Sequence, residues 1–180
     1  KRQEEKAVAI CRLKRVAADN KGDVSAYMPI VPKDKNGKKI ALIGAGPASL
    51  AVARDLLPLG YEVHLFEKEE KGGGFMRSQI PAFRLPVEVL EEEVDRILDM
   101  GVICHFGTEI TSMRDLLDQN FDAYFVGTGA PRGRDLELPG REEVDDYIHI
   151  GIDWLSSVAF GHVTNIPVSY THLRAHETKP

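Results

Sequence analysis

Residues 39–49 read Lys-Ile-Ala-Leu-Ile-Gly-Ala-Gly-Pro-Ala-Ser, and this stretch decides the fold. Its first part, 39–43, is a short apolar run typical of a buried strand, and 44–47 is a glycine turn. An Ala/Leu-rich helix is predicted over 48–57, and a second strand over 61–66. A strand, turn, helix and strand of this length open a doubly wound parallel sheet, so we expect an α/β fold of the Rossmann type.

The glycines of this turn have distinct physical roles. Gly44 permits the tight turn after the strand, and Gly46 lets the backbone come close to a bound diphosphate. The third position of the pattern needs a small residue for close helix–strand packing, and here it is Ser49. The N-terminus of the following helix offers free N–H groups and a partial positive charge. The pattern therefore predicts a dinucleotide-binding turn.

An acidic residue strengthens this prediction. Glu67 ends the second strand and lies 18 residues after Ser49. A carboxylate there can accept hydrogen bonds from both hydroxyls of an adenosine ribose. A 2′-phosphate on that ribose would require a nearby Arg, and Lys68 is a weak substitute. We therefore expect an unphosphorylated adenosine, as in FAD or NAD, and the turn alone does not distinguish these two cofactors.

A second glycine-rich segment follows Glu67. Gly73 and Gly74 provide bare backbone that can pass close to another part of an extended ligand. The run 80–86, Ile-Pro-Ala-Phe-Arg-Leu-Pro, then places a single Arg84 between rigid residues.

Together these motifs resemble the FAD-binding half of a flavoprotein family that has two dinucleotide sites. That family includes the small subunit of glutamate synthase and the N-terminal electron-input part of dihydropyrimidine dehydrogenase. The resemblance covers residues 5–166 and rests on motifs at 44–49, 67–74, 80–86 and 127–131. The motif at 127–131, Gly-Thr-Gly-Ala-Pro, resembles the loop that closes over the flavin in this family.

By position, the resemblance implies a set of residues that contact one extended FAD. These are Gly44, Ala45, Gly46, Pro47 and Ala48 on the pyrophosphate, Glu67 on the ribose, and Gly73, Gly74 and Phe75 along the cofactor. It further implies Arg84 near the flavin or pyrophosphate, and a backbone contact from Ile110 to the adenine end.

The resemblance also implies an activity. The parent protein is expected to be an NAD(P)H-dependent FAD oxidoreductase that passes electrons through iron–sulfur clusters to a larger catalytic subunit or a fused acceptor domain. The flavin carries the chemistry in such enzymes, so no catalytic acid, base or nucleophile is assigned. Two alternatives stay open: an NAD-dependent Rossmann dehydrogenase, and a non-catalytic dinucleotide-binding module.

The sequence pattern and the family resemblance together predict the domain organisation. Residues 1–23 are predicted to be the helical end of an upstream iron–sulfur domain, with a helix over 4–19, and 24–38 a linker. The resemblance implies that 39–167 is a partial FAD-binding domain, because the NAD(P)H-binding domain would begin after it. Residues 168–180 resemble a translated sequencing adapter, and we expect this tail to be non-native.

Further elements are predicted from the apolar pattern of the remaining sequence. They are helices at 86–100, 111–119 and near 154–160, and strands at 102–106 and 121–126. The helix at 86–100 carries an acidic run on the face opposite its apolar stripe, so these carboxylates are interpreted as a solvated surface rather than as a metal site.

Composition excludes several classes of protein. The 180 residues carry a net charge of −5, so nucleic acid is not an expected partner. No apolar run reaches the ~18 residues that a membrane span needs. The chain has two cysteines, Cys11 and Cys104, which excludes a disulfide framework and indicates a reducing compartment, taken as the cytoplasm.

The histidines give no metal site by their spacing. His172 and His176 are four residues apart, but Leu173 stands where the zincin pattern needs Glu, and both lie in the adapter-like tail. His64 and His105 fall in predicted strands and are each interpreted as structural.

Overall fold

The computed structural model describes residues 8–135 and 137–164. Two compact units divide between Ile30 and Val31. The first contains α1 (Ile10–Asp19), whose apolar residues are exposed and which is stabilised by an ion pair between Arg15 and Asp19 at 2.7 Å. A 3₁₀ turn, Ser25–Tyr27, follows it.

The second unit is an α/β domain. Its elements in chain order are β1 (Lys39–Ile43), α2 (Pro47–Leu56), β2 (Glu62–Phe66), α3 (Phe75–Ser78), α4 (Val87–Leu98), β3 (Ile103–His105), α5 (Met113–Leu117), β4 (Ala123–Val126) and α6 (Gly151–Ala159). Two 3₁₀ segments lie at Leu57–Leu59 and Glu142–Tyr147. The predicted strands and the longer helices of this unit are present within a few residues of their expected bounds, whereas α3 was not predicted. The helix predicted over 4–19 begins at Ile10, and residues 4–7 of that prediction lie outside the described residues.

The four strands form one parallel sheet in the order β3-β2-β1-β4. The chain moves outward from β1 through β2 to β3 and then crosses to the opposite side of β1 to form β4. The carboxyl ends of β1 and β4 therefore flank the point where the strand order reverses. In open α/β sheets, ligands bind in the crevice at this point.

Helices cover both faces of the sheet. Strand side chains alternate between the faces, so Ile40 and Leu42 pack with α2 and α4 on one side. Ala41 and Ile43 point to the other side, where Leu116 of α5 is buried against them. This two-sided cover, together with the all-parallel sheet, confirms the predicted doubly wound α/β class.

Candidate functional site

The glycine turn after β1 is held tightly between neighbouring strands. Gly44 has a φ of +91°, and its N–H donates a hydrogen bond to the carbonyl of Phe66 at 2.7 Å. A Cβ at Gly44 would lie 2.7 Å from the carbonyl oxygen of Gly127, at the end of β4. Both the φ angle and the space therefore require glycine at this position.

Gly46 differs from Gly44, because its surroundings are open. Its φ of −77° is allowed to any residue, and the nearest atom to a Cβ built there would be the Gly127 oxygen at 3.9 Å. The fold therefore does not need glycine at this position. Bare backbone at Gly46 instead leaves room for a ligand to approach the turn.

The N-terminus of α2 faces the same space. Gly46 is its N-cap, no side chain caps the helix, and its first residue is Pro47. Pro47 has no N–H, and the N–H groups of Ala48 and Ser49 have no acceptor inside the helix. Unpaired N–H groups and the positive end of the helix dipole form a binding site for an anion such as a diphosphate.

Ser49 packs directly against the turn after β4. Its side chain is fully buried, and its Oγ has no hydrogen-bond partner among the described residues. A Cβ at Gly127 would overlap the Ser49 Oγ. A small residue is therefore needed at both positions, which agrees with the role predicted for the third position of the glycine pattern.

The Glu67 carboxylate points toward the glycine turn. Its Oε2 accepts the N–H of Ala45 at 2.7 Å, and its Oε1 accepts the N–H of Glu69 at 3.0 Å. The residue is only 9% exposed, and its own backbone pairs with His105 and Thr108. Since a carboxylate offers about four acceptor positions, two remain for ligand hydroxyls.

A cavity of about 570 Å³ opens at this point of the sheet. Seven of the predicted contact residues line it: Gly44, Gly46, Pro47, Ala48, Glu67, Gly74 and Phe75. The structure thus brings the turn, the acid and the second glycine segment to one cavity.

Four predicted contact residues lie elsewhere. Ala45 is buried beneath the turn, and its carbonyl accepts the N–H of Gly73 at 2.9 Å, so these two residues join the two glycine segments. Arg84 is exposed in the loop before α4, and Ile110 packs against the cluster on the α5 side of the sheet. None of these four is among the cavity-lining residues.

The rest of the lining combines a loop expected from the family resemblance with residues that could not be assigned from the sequence. One wall comes from 125–131, which includes the loop that the family resemblance had singled out. The opposite wall comes from Ser78 and Gln79 together with four residues near or on α6: Ile152, Asp153, Ser156 and Phe160. Gln79 joins them, because its Nε2 donates to the carbonyl of Ile152 at 3.1 Å.

Lys68, Glu69 and Lys71 line the rim of the cavity. Lys68 lies 3.5 Å from Glu69, and Lys71 lies 2.7 Å from Glu91 of α4. The hydrogen bond from Lys71 lowers the pKa of Glu91, and the charge of Arg77 adds to the effect. Both rim lysines thus have carboxylate partners.

A histidine pair lies on the sheet surface close to Glu67. His64 Nδ1 and His105 Nε2 are 3.1 Å apart, and His64 Nε2 is 2.9 Å from Glu62 Oε1. Hydrogen bonding to His64 and Lys39 lowers the pKa of Glu62. Burial, and to a lesser degree the charge of His64, lowers the pKa of His105.

Other candidate features carry no predicted site residue. A cavity of about 370 Å³ lies beside β4 and is lined by residues such as Ile40, Val52 and Ala123. Within 8–135 and 137–164, no three His, Cys, Asp or Glu residues cluster as metal ligands would. Burial raises the pKa of the Cys104 thiol. The His172/His176 pair lies outside the described residues.

No helix in the described part of the chain is long and apolar enough to cross a bilayer.

These features are those of a Rossmann-like α/β fold, and a family comparison agrees. Residues 42–119 match the model of the NAD(P)-binding Rossmann-like domain. The matched segment begins within β1 and includes both glycine segments and Glu67.

The chain is similar to subunits of NADPH- and NAD-dependent oxidoreductases, which confirms the resemblance inferred from its motifs. It is 36% identical to the NADPH-Fe(3+) oxidoreductase subunit beta of Geobacter sulfurreducens, over 89% of this chain and 25% of that protein. It is 36% identical to the NAD-dependent dihydropyrimidine dehydrogenase subunit PreT homologue of Salmonella typhi, over 84% of this chain and 36% of that protein. It is 32% identical to the NADPH glutamate synthase small chain of Bacillus subtilis, over 83% of this chain and 30% of that protein. The chain thus spans about a quarter to a third of these relatives' lengths.

Solved structures share the fold. Mycobacterium tuberculosis FprA in complex with NADPH superposes with a TM-score of 0.59 at 18% identity, over 67% of this chain and 28% of that one. A 2-naphthoyl-CoA reductase superposes with a TM-score of 0.56 at 20% identity, over 79% of this chain and 20% of that one.

Proposed function

We propose that this chain is the FAD-binding portion of an NAD(P)H-dependent flavoprotein oxidoreductase. The single observation that carries the proposal is the Glu67 carboxylate, which is buried at the carboxyl end of β2 and hydrogen-bonded to the glycine turn. It opens onto the same cavity as Gly46 and the N-terminus of α2. This arrangement suits an adenosine ribose on the acid and a diphosphate at the helix.

The chain's residues fit the adenosine and diphosphate parts of FAD. Gly46 leaves open space beside the turn that a Cβ would occupy, and the first turn of α2 would supply unpaired N–H groups to the phosphates. Glu67 would hold the ribose hydroxyls through its two remaining acceptor positions. Gly74 and Phe75 would lie along the cofactor, as would 127–131 on the facing wall.

The ribose end favours FAD over NADP in this cavity. A 2′-phosphate placed beside Glu67 would meet a buried carboxylate, and the adjacent cation, Lys68, already has Glu69 as a partner at 3.5 Å. NADPH appears in the names of several relatives. We therefore propose that NADPH binds elsewhere in the parent protein. The matching family model is described as NAD(P)-binding, so NAD is the competing ligand for this cavity.

The extent of the cavity also supports FAD. It continues from Glu67 past the second glycine segment to α6, where Ser156 and Phe160 line it. A ligand longer than adenosine diphosphate can therefore lie in it. When bound, FAD can accept two electrons from a reduced nicotinamide and release them singly to iron–sulfur clusters.

The wider protein would supply the remaining parts. We place the NAD(P)H-binding domain and the iron–sulfur clusters outside this chain, with a larger subunit or fused domain as the electron acceptor, as the glutamate synthase relatives suggest. Both cysteines of the chain are free thiols, and we place the protein in the cytoplasm on this ground.

The test is a binding measurement on the purified full chain. FAD fluorescence and absorbance are followed during titration, and ADP, NAD and NADP are used as competitors. We expect saturable FAD binding that ADP displaces and NADP displaces poorly. Saturable NAD binding without FAD binding would instead support an NAD-dependent dehydrogenase, and absence of binding to either dinucleotide would overturn the proposal.

A further inference from the structure

The second glycine segment, Gly72–Gly74, packs against the first glycine turn and places Gly74 in the lining of the cavity. The N–H of Gly73 donates to the carbonyl of Ala45 at 2.9 Å. A Cβ at Gly74 would lie 2.8 Å from the Cα of Gly46. Any movement of this segment would therefore change the width of the site at the position proposed for the diphosphate.

The segment is not stable by itself. Gly73 and Gly74 have φ angles of +120° and +51°, a conformation that costs chain entropy to fix. The helix that follows, α3, has four residues and no side-chain cap. One isolated turn of helix does not persist in water, so the segment needs an anchor elsewhere.

Arg77 supplies this anchor from behind the wall. Phe75, Ser78 and Gln79 line the cavity, whereas Arg77 turns away from it and is only 10% exposed. Its Nε donates to the carbonyl of Gly72 at 2.7 Å. A guanidinium that is nearly buried and bonded to a carbonyl gives a stronger hydrogen bond than a neutral donor does.

The same guanidinium ties the segment to α4. Its Nη1 lies 3.5 Å from Glu91 Oε1. A Cβ at Gly73 would lie 3.4 Å from the Arg77 Cβ and 3.2 Å from Leu90 Cδ2, so the segment is packed between α3 and α4. Glu91 belongs to the acidic run that we interpreted from the sequence as a solvated surface. It also pairs with Lys71 on the cavity rim.

We propose that Arg77 is a positioning residue for the dinucleotide site, which it serves by clamping Gly72–Gly74 between the first glycine turn and Glu91 of α4. The part of the inference that concerns the cofactor rests on the proposed function. Arg77 does not touch the ligand; it fixes the wall that does. Its planar guanidinium can bond a carbonyl and a carboxylate at once, which a lysine cannot do with the same geometry.

The experiment compares variants of the full chain in two measurements. Hydrogen exchange at the Gly73 amide reports the clamp without ligand, and FAD titration reports its effect on binding. For Arg77→Gln we expect about tenfold faster exchange at Gly73 and about tenfold weaker FAD binding, the scale of one charged hydrogen bond. Amides of β1 and β2 should exchange as in the unchanged chain.

Two further variants separate positioning from general stability. Arg77→Lys should recover only part of the protection at Gly73, because it cannot satisfy both partners. Arg96→Ala is the matched control, since Arg96 also pairs with carboxylates of α4, Glu92 and Glu93, within that helix. It should leave Gly73 exchange and FAD affinity unchanged. If Arg77→Gln unfolds the chain, Glu91→Gln should still raise exchange at Gly73 selectively.

The outcomes distinguish this inference from the proposed function. Unchanged Gly73 exchange in both Arg77→Gln and Glu91→Gln would overturn the clamp. Equal FAD affinity in the unchanged chain and Arg77→Gln would overturn its role in positioning the site. An unchanged chain that fails to bind FAD while its Gly73 exchange responds to the variants would overturn the proposed function and leave the clamp standing.

Discussion

Glu67 Oε2 and the amide nitrogen of Ala45 lie 2.7 Å apart, although 22 residues separate them in the chain. This hydrogen bond joins the carboxyl end of β2 to the glycine turn after β1. It holds the carboxylate at the mouth of the cavity before any ligand binds, so the ribose would meet an oriented acceptor. Preorganisation of this kind raises affinity, because less ordering remains to be done on binding.

Replacing this carboxylate should weaken both binding and folding. For Glu67→Ala we expect a loss of about 1.5–3 kcal/mol in FAD binding, the scale of a hydrogen bond to a charged group. The free energy of unfolding should also fall, because the Ala45 N–H loses its acceptor. Isothermal titration and urea denaturation measure the two effects. Glu70→Ala, which removes an exposed carboxylate three residues further on, is the control, and an equal affinity loss in it would contradict the assignment.

The two glycines of the first turn should respond to substitution in opposite ways. Gly46→Ala should change the free energy of unfolding by less than about 1 kcal/mol, because φ is −77° and the added Cβ meets open space. It should nevertheless abolish FAD binding, since the Cβ would fill the diphosphate cradle. Gly44→Ala should destabilise the fold by more than about 2 kcal/mol, because it adds a clash with Gly127 to the cost of a positive φ. Normal FAD affinity in Gly46→Ala would contradict the placement of the diphosphate at this turn.

The Ser49 hydroxyl should reduce stability. It is fully buried with no described hydrogen-bond partner, so burying it costs free energy that Ala would not require. We expect Ser49→Ala to raise the free energy of unfolding by about 1 kcal/mol. Ser112→Ala makes the same chemical change at the N-cap of α5, where the hydroxyl accepts the N–H of Asp115, and should lower stability. Destabilisation by Ser49→Ala would show that this hydroxyl has a partner.

Local sequence patterns could predict the framework of this site, because strand alternation, the glycine turn and the acid at the end of β2 are all short-range signals. The wall near α6 could not be predicted. Gln79 bonds Ile152 across 73 residues, and no periodicity in either segment marks that contact. Arg77 was missed for a related reason: its partners are a backbone carbonyl and a residue on another helix, so its spacing carries no signal.

The contact between His64 and His105 could be predicted only from the order of the strands in the sheet. His64 and His105 were interpreted separately as structural residues, and 41 positions separate them. The parallel register of β2 and β3 pairs His64 with Ile103 and Phe66 with His105, which brings the two imidazoles onto one face. Their contact follows from pairing these two strands, a relationship that sequence spacing alone does not contain.

This pair should make folding stability depend on pH. Burial and the charge of His64 hold the pKa of His105 below the ordinary value of 6.5. The unfolded chain therefore binds a proton in a pH range where the folded chain does not. The resulting contribution to stability is fully present above about pH 6.5 and is lost as the pH falls through the folded-state pKa.

His105→Gln removes this titration and keeps a polar side chain beside His64 and Phe66. We expect its free energy of unfolding to fall less between pH 7 and about pH 5 than that of the unchanged chain, as measured by urea denaturation at each pH. Glu62, which faces His64, also has a lowered pKa, but it titrates below its ordinary value of 4.5 and so acts at more acid pH. His149→Gln, at an exposed histidine, is the control and should retain the full pH dependence. A slope for His105→Gln equal to that of His149→Gln would show that the pair does not couple protonation to folding.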